Sequence, residues 1–318
     1  MKRALALPAL LLALALALAG CGFGAGDAPK GAGTELTVSR NFGADEMGST
    51  KRKTIPAGET VMRLLQRSFE VETRYGGGFV QSIDGVGGGR RGGRPVDWFF
   101  YVNGIEADSG AAARRLTAGD RVWWDHHDWG AAMRIPAVVG SFPEPFVSGP
   151  KGKRVPVRIE CASAAQRACK EVRTRLEESG ATVGGLSPLG TEAGPAVLRV
   201  LVGRWADVRR DPTVRRLEQG PKDSGVFARP NAKGDRFELL DPRGDTVRTL
   251  GAGSGLVAAT SHFDQQPTWV VAGTDDVGVD AAAAALNETR LRDHFAVAVE
   301  SGREMPLPLP MGGGTASP

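Results

Sequence analysis

Asp97-Trp98-Phe99-Phe100-Tyr101-Val102-Asn103-Gly104 and, further on, Arg121-Val122-Trp123-Trp124-Asp125-His126-His127-Asp128-Trp129 decide how this chain reads. From Trp98 to Val102 every residue is aromatic or β-branched, which is strand chemistry, and Asn-Gly follows at once, a dipeptide suited to a tight turn at positive φ. Ala118-Gly119-Asp120 then turns the chain into a second strand. Side chains two apart share a face. Trp98, Phe100 and Val102 therefore lie on one side of the first strand and Phe99 and Tyr101 on the other. Val122, Trp124 and His126 oppose Trp123, Asp125 and His127 in the second. Both faces carry more aromatic surface than the core of one small sheet needs, so one is expected to pack on a helix and the other to meet a ligand or a second domain.

Working outward, Glu35 to Arg40 alternates polar and apolar residues as a first strand. Thr60 opens a helix with Val61, Leu64, Leu65 and Phe69 at helical spacing. Phe79-Val80-Gln81-Ser82-Ile83 is a strand closed by Asp84-Gly85, and Gly87 to Arg94 is expected to be a mobile loop. One helix crossing a mixed sheet over residues 34–130 suits a β-grasp-like domain. The glycine-arginine run Arg90-Arg91-Gly92-Gly93-Arg94 is read as a solvated loop, and no nucleic-acid partner is expected.

Three segments of this stretch carry a family resemblance: Gly78 to Gly85, Asp97 to Gly104, and Leu116-Thr117-Ala118-Gly119-Asp120-Arg121-Val122-Trp123-Trp124. Residues from about Thr34 to Trp129 resemble the transcobalamin-like C-terminal domain of bacterial surface proteins. The resemblance implies a β-grasp-like fold and a corrinoid, such as cobalamin, or another small ligand as the bound molecule. On that reading the ligand-binding candidates are Trp98, Tyr101, Trp123, Trp124, His126, His127 and Trp129. No cofactor is required.

The chain of 318 residues begins with Lys2 and Arg3, runs apolar from Ala4 to Ala19 and reaches Leu18-Ala19-Gly20-Cys21. This reads as a secretory signal ending in a bacterial lipobox, with Cys21 the lipidation site and residues 1–21 removed from the fold. Residues 22–33 read as a flexible tether. Acyl chains on Cys21 would hold the protein to the outer side of the cell membrane, making the membrane itself a partner. The formal charge of +4 comes from scattered arginines, not a block.

Residues 131–153 form a Pro/Gly-punctuated linker whose Val138, Val139, Phe142 and Phe146 are expected to pack along a domain surface. Residues 154–301 alternate strands and helices: Val155 to Glu160, an amphipathic helix from Ser163 to Glu178, Val197 to Val202, a hairpin around Asp241-Pro242-Arg243-Gly244-Asp245, then Leu256 to Ala259, Trp269 to Ala272, and a helix from Val279 to Leu286. The fold class is therefore α+β, an N-terminal β-grasp-like domain followed by an α/β sandwich domain. Residues 302–318, Pro- and Gly-rich, are expected to be a disordered tail. Cys161 and Cys169 are either a disulfide or two buried free thiols.

Little in the chain reads as catalysis. In Asp125-His126-His127-Asp128 the adjacent histidines point to opposite sides of a strand and cannot readily share an ion, so no metal site is expected. Gly251-Ala252-Gly253-Ser254-Gly255 lacks the Lys-Ser/Thr of a phosphate loop, and Gly273-Thr274-Asp275-Asp276 reads as a helix cap. With no nucleophile elbow or triad spacing, the chain is expected not to be an enzyme. The preferred expectation is a lipid-anchored extracytoplasmic binding protein capturing a corrinoid or other small ligand for uptake. The alternative is an adaptor lipoprotein whose aromatic face docks an envelope or transporter protein.

Overall fold

The structure, a computed structural model, describes residues 33–162, 167–192, 194, 196–262 and 265–311. The signal, Cys21, all of the tether but Gly33, and residues 312–318 lie outside the described residues.

The N-terminal half is built on β1 (Thr34–Arg40), β2 (Asp45–Arg52), the short helix α1 (Val61–Gln66), β3 (Val71–Arg74), β4 (Phe79–Ile83), β5 (Arg94–Val102) and β6 (Arg121–Asp128). Its main sheet runs β2-β1-β6-β5, with Gly89–Arg91 at the far edge and Ile105–Glu106 also on β5. The β1–β6 pair is parallel, and β5–β6 is antiparallel with Trp98 opposite His126, Phe100 opposite Trp124 and Tyr101 opposite Trp123. Thr60 caps α1 by accepting the Arg63 N–H at 3.2 Å, and Val61, Met62, Leu64 and Leu65 are buried. That spacing turns one helix face onto the sheet. Leu36, Val38, Trp98, Val102, Val122 and Trp124 meet it from below.

The expected mobile loop from Gly87 to Arg94 is instead a hairpin. Arg91 pairs with Arg94 across Gly92-Gly93, both at positive φ. Two consecutive residues at positive φ make the turn whose twist matches the flanking strands, and glycine adopts it without a Cβ penalty.

The C-terminal half comprises β7 (Val157–Cys161), α2 (Arg167–Glu178), β8 (Val183–Pro188), β9 (Leu198–Arg204), β10 (Phe237–Leu240), β11 (Thr246–Leu250), β12 (Gly255–Thr260), β13 (Thr268–Gly273), α3 (Asp276–Ala285), β14 (Ala296–Glu300) and β15 (Arg303–Leu307). Its seven-stranded sheet has the order β8-β7-β9-β13-β12-β14-β15. The first four strands are parallel and the last three antiparallel. Helices α2 and α3 cover one face over Val157, Ile159, Val200, Val202 and Val271. Asp275 caps α3 by accepting the Gly278 N–H at 2.9 Å. The α/β reading of this half and the α+β class of the whole follow from these pairings.

Residues 303–307, expected to belong to a disordered tail, form a strand instead. Arg303–Leu307 pairs antiparallel with β14, and Met305 and Leu307 are buried on alternate positions. Pro306 is tolerated because β15 is an edge strand. Cys161 and Cys169 are joined in a disulfide, the first of the two alternatives. Ser163 to Gln166, read as the first turn of the helix, lie outside the described residues, and α2 begins at Arg167.

Residues 131–153 are an ordered strap. Ile135, Val138, Val139, Phe142 and Phe146 are buried. The Val138 N–H bonds the Gly104 carbonyl at 2.8 Å, and the Val139 N–H bonds the Phe295 carbonyl at 3.2 Å, so the strap holds the two halves by backbone pairing. A single hydrophobic core then crosses the junction. Phe42, Tyr101 and Trp123 from the first half pack in one cluster with Leu201, Trp205, Phe227, Phe237 and Phe295 from the second.

Candidate functional site

The two faces of the aromatic sheet have different fates. On the inner face, Tyr101, Trp123 and His127 are at most 2 % exposed. Phe295 stands edge-on to all three, with ring centroids 5.6, 5.0 and 5.4 Å away. His127 is stacked between Phe42 at 4.6 Å and Phe99 at 4.5 Å. These contacts are core packing, worth roughly 0.5–1.5 kcal/mol per aromatic pair beyond area burial. The expectation that Tyr101, Trp123 and His127 contact a ligand is therefore corrected: the C-terminal half seals them.

Beneath these rings lies a fully satisfied polar knot. The Asp125 carboxylate accepts the Ser39 hydroxyl at 2.6 Å, the Phe42 and Gly43 N–H groups at 3.0 and 2.8 Å, and pairs with His127 Nδ1 at 2.8 Å. Trp123 Nε1 donates to Ser39 Oγ at 2.8 Å. A buried carboxylate is tolerable when its lone pairs are filled in this way. The knot closes the Asn41–Gly43 turn onto β6 and has no opening to solvent for chemistry. Tyr101 Oη, by contrast, has no partner. Burial, with the Glu106 and Asp125 carboxylates adding to it, pushes its phenol well above the usual range.

His126 leaves on the other side of the strand. Its Nε2 lies 3.1 Å from the Gly87 carbonyl, and burial holds its imidazole below the ordinary histidine value. The two histidines are thus split by the strand. Among the described residues no group of three or more His, Cys, Asp or Glu could hold a metal ion. Trp129, half-buried, sits beyond the strand end with its N–H on the Pro95 carbonyl at 3.2 Å, away from both sets of rings.

The outer face carries an opening. A recess of about 190 Å³ is lined by Phe79, Trp98, Phe100, Glu106, Ala107 and Trp124, with Gly78 and Gly110 at its rim. Trp98 is fixed there by its Nε1 bond to the Val86 carbonyl at 2.8 Å. Trp124 stacks on Phe100 at 4.7 Å and is 3 % exposed, yet its Nε1 has no partner. An unpaired buried N–H costs about 1–3 kcal/mol. Glu106 is held by Arg134 at 2.8 Å, although burial outweighs that pairing and raises its carboxyl. Phe79 is 42 % exposed and stands edge-on to the exposed ring of Tyr75 at 6.3 Å. Of the residues singled out in the sequence, only Trp98 and Trp124 meet here. Phe79 and Glu106 were not marked, and the signal was present for Phe79, an aromatic opening a strand directly after three glycines and alternating with the buried Val80.

Residues 58–128, from just before α1 to the end of β6, match a family described as a domain of unknown function, DUF4430. No curated protein is matched. Among solved structures the chain is similar to a provisionally assigned metal binding protein from Ruminococcus gnavus, at 12% identity over 30% of this chain and 97% of that one, with a TM-score of 0.24. The matched description does not name a transcobalamin-like domain.

Proposed function

We propose that this chain is an extracytoplasmic lipoprotein, acylated at Cys21, that binds a small ligand in the outer aromatic recess and has no catalytic role. One observation carries the reading: Trp124, whose indole N–H is buried and unpaired, lines a recess walled with aromatic rings. A hydrophobic pocket with one or two convergent polar groups is the usual form of a small-molecule site. At about 190 Å³ the recess takes a single ring carrying a hydrogen-bond acceptor. A corrinoid, the class implied by the transcobalamin-like motifs, would reach it only by a peripheral group, with its macrocycle lying across Phe79 at the mouth.

The test is titration of the protein with cobalamin and cobinamide, read by quenching of tryptophan emission, alongside Trp124→Phe. That variant keeps the stack on Phe100 and removes the donor. Its affinity should fall by roughly fivefold, about 1 kcal/mol for one hydrogen bond. Unaltered affinity in Trp124→Phe would remove the recess from the reading. A second reading, an adaptor that docks an envelope protein, rests on the exposed Tyr75–Phe79 pair. Cross-linking in the native membrane that recovers one stoichiometric protein, lost in Phe79→Ser, would favour it over the small ligand.

A further inference from the structure

The chain enters its fold at one end of the first sheet, and cations ring the point of entry. Gly33 leads into β1, where Thr34 pairs with Arg52 and Glu35 with Lys51 at the C-terminal end of β2. A Cβ on Gly33 would lie 2.8 Å from the Arg52 carbonyl oxygen and 3.6 Å from the Lys53 Cα. The Thr34 hydroxyl donates to the Thr117 carbonyl at 3.5 Å, which brings up the turn carrying Arg114 and Arg115. A Cβ on Gly152 would meet the Thr117 side chain at 2.4 Å, which brings up Lys153 from the strap. Lys51, Lys53, Arg115 and Lys153 are exposed, and Arg52 and Arg114 are half-buried.

None of these six makes a side-chain ion pair or hydrogen bond among the described residues, and the buried Nε of Arg52 has no partner. Carboxylates beside them are already taken: Asp108 by Lys151 at 2.7 Å, the buried Glu59 by Arg67 at 3.0 Å, and Glu35 by Arg121 at 3.6 Å and Arg292 at 3.0 Å. The C-terminal half is different, since Arg173, Arg204, Arg229 and Arg248 each hold a carboxylate. Unspent positive charge therefore gathers where the chain comes in. The twelve residues from Gly22 to Gly33 reach at most about 40 Å whatever their conformation, so an acylated Cys21 keeps this end of the sheet near lipid headgroups. Lys and Arg are drawn to an anionic lipid surface once they come within about a Debye length of it, about 8 Å at physiological salt.

We propose that this basic end is a membrane-docking surface, which settles the N-terminal half on the anionic phospholipid that takes the Cys21 acyl chains. The proposal rests on acylation at Cys21. Arg90 and Arg91, also exposed, lie beside Pro95 and Arg94 at the start of β5, roughly 25 Å along the strand from the basic end, and supply the control. The chain from Gly22 onward, which keeps every described residue and carries no acyl chain, is tested by flotation with vesicles of phosphatidylcholine alone or mixed with phosphatidylglycerol. It should bind only the mixed vesicles and leave them at high salt. Lys53→Glu/Arg115→Glu should weaken that binding about tenfold or more, and Lys53→Arg/Arg115→Lys should keep it. Arg90→Glu/Arg91→Glu, an equal change of charge at the far end, should alter it less than about twofold. The proposal is overturned if the mixed vesicles are not bound, if phosphatidylcholine alone is bound as well, or if the two Glu variants lose binding equally. It is also overturned if polyglutamate is bound more tightly than the vesicles, which would make the partner an acidic protein surface. Acylation is read separately, from the mass of the protein extracted from membranes, so either can fail while the other stands.

Discussion

Phe295→Ala tests whether the inner aromatic face is a permanent joint. Phe295 lies just before β14, is 3 % exposed and touches the rings of Phe42, Tyr101, Trp123 and His127 at 5.0 to 5.6 Å. Truncating a buried phenylalanine costs about 3–5 kcal/mol through lost transfer energy and the cavity left behind. Ring pairs at these distances place this case in the upper half of that range, because four edge-on contacts vanish together. The neighbours cannot collapse into the gap easily, since His127 and Trp123 are anchored through Asp125 and Ser39. Set against a typical total stability of about 5–15 kcal/mol, a loss of about 4 kcal/mol would move the urea midpoint well outside error. The assay is urea unfolding, paired with acrylamide quenching of tryptophan emission in the native state. Quenching should rise, because Trp123 gains a solvent path that its own half does not provide. A loss under about 1 kcal/mol with unaltered quenching would show that the C-terminal half does not seal this face, and the correction made to the inner-face residues would fail.

Gly104 at φ +72 follows Asn103 in the turn after β5, and a Cβ there would come within 2.7 Å of the Val138 carbonyl oxygen. Gly104→Ala should therefore cost at least about 2 kcal/mol, combining left-handed strain with displacement of the strap, measured by thermal unfolding. Burial raises the Asp293 carboxyl to about 6, with Glu46 and Glu35 adding to the rise against Arg292 and Arg121. A raised folded-state value means the native protein holds the proton more tightly, so stability from this group falls as pH rises from about 4 to 6. Asp293→Asn should accordingly be the more stable protein at pH 7 to 8 and match the parent below pH 4, as read from Tm against pH. Reducing the Cys161–Cys169 bridge, or replacing both by alanine, should lower stability by about 2–3 kcal/mol for so short a loop, read by denaturant midpoints with and without reductant; no change would show that the bridge does not constrain the unfolded chain.

Much of this architecture was legible because it is written in short periods. The alternation through Trp98–Val102 and Val122–His127 assigned each ring to its side, and the structure puts Trp98, Phe100 and Trp124 under α1 and Tyr101, Trp123 and His127 against the second half. The capping Asp275 and the strap from Ile135 to Phe146 were likewise readable as local chemistry. What could not be read is which side stays open. That depends on Phe295 and Phe227, far along the chain, whose own neighbourhoods say only that they are apolar. The hairpin at Gly92-Gly93 was missed because charge and glycine content outweighed a two-residue turn signal, and β15 because prolines around it mask the alternation of Met305 and Leu307.

The joint also explains why a binding surface would move outward. Phe42 holds φ +60, a left-handed backbone that costs a bulky residue about 1–2 kcal/mol. It is offset by the Asp125 carboxylate, which accepts the Phe42 and Gly43 N–H groups, and by rings from three directions, His127, Phe227 and Phe295. Strain of this kind persists only where the surroundings fix it several times over. A face that a ligand had to enter would have to release Phe42, Phe295 and the Asp125 hydrogen bonds together, far more than a single small ligand returns. The sheet therefore spends its inner aromatics on holding two halves in one register. That register is what lets Glu106 border both the recess and a cavity of about 250 Å³ at the junction of the two halves.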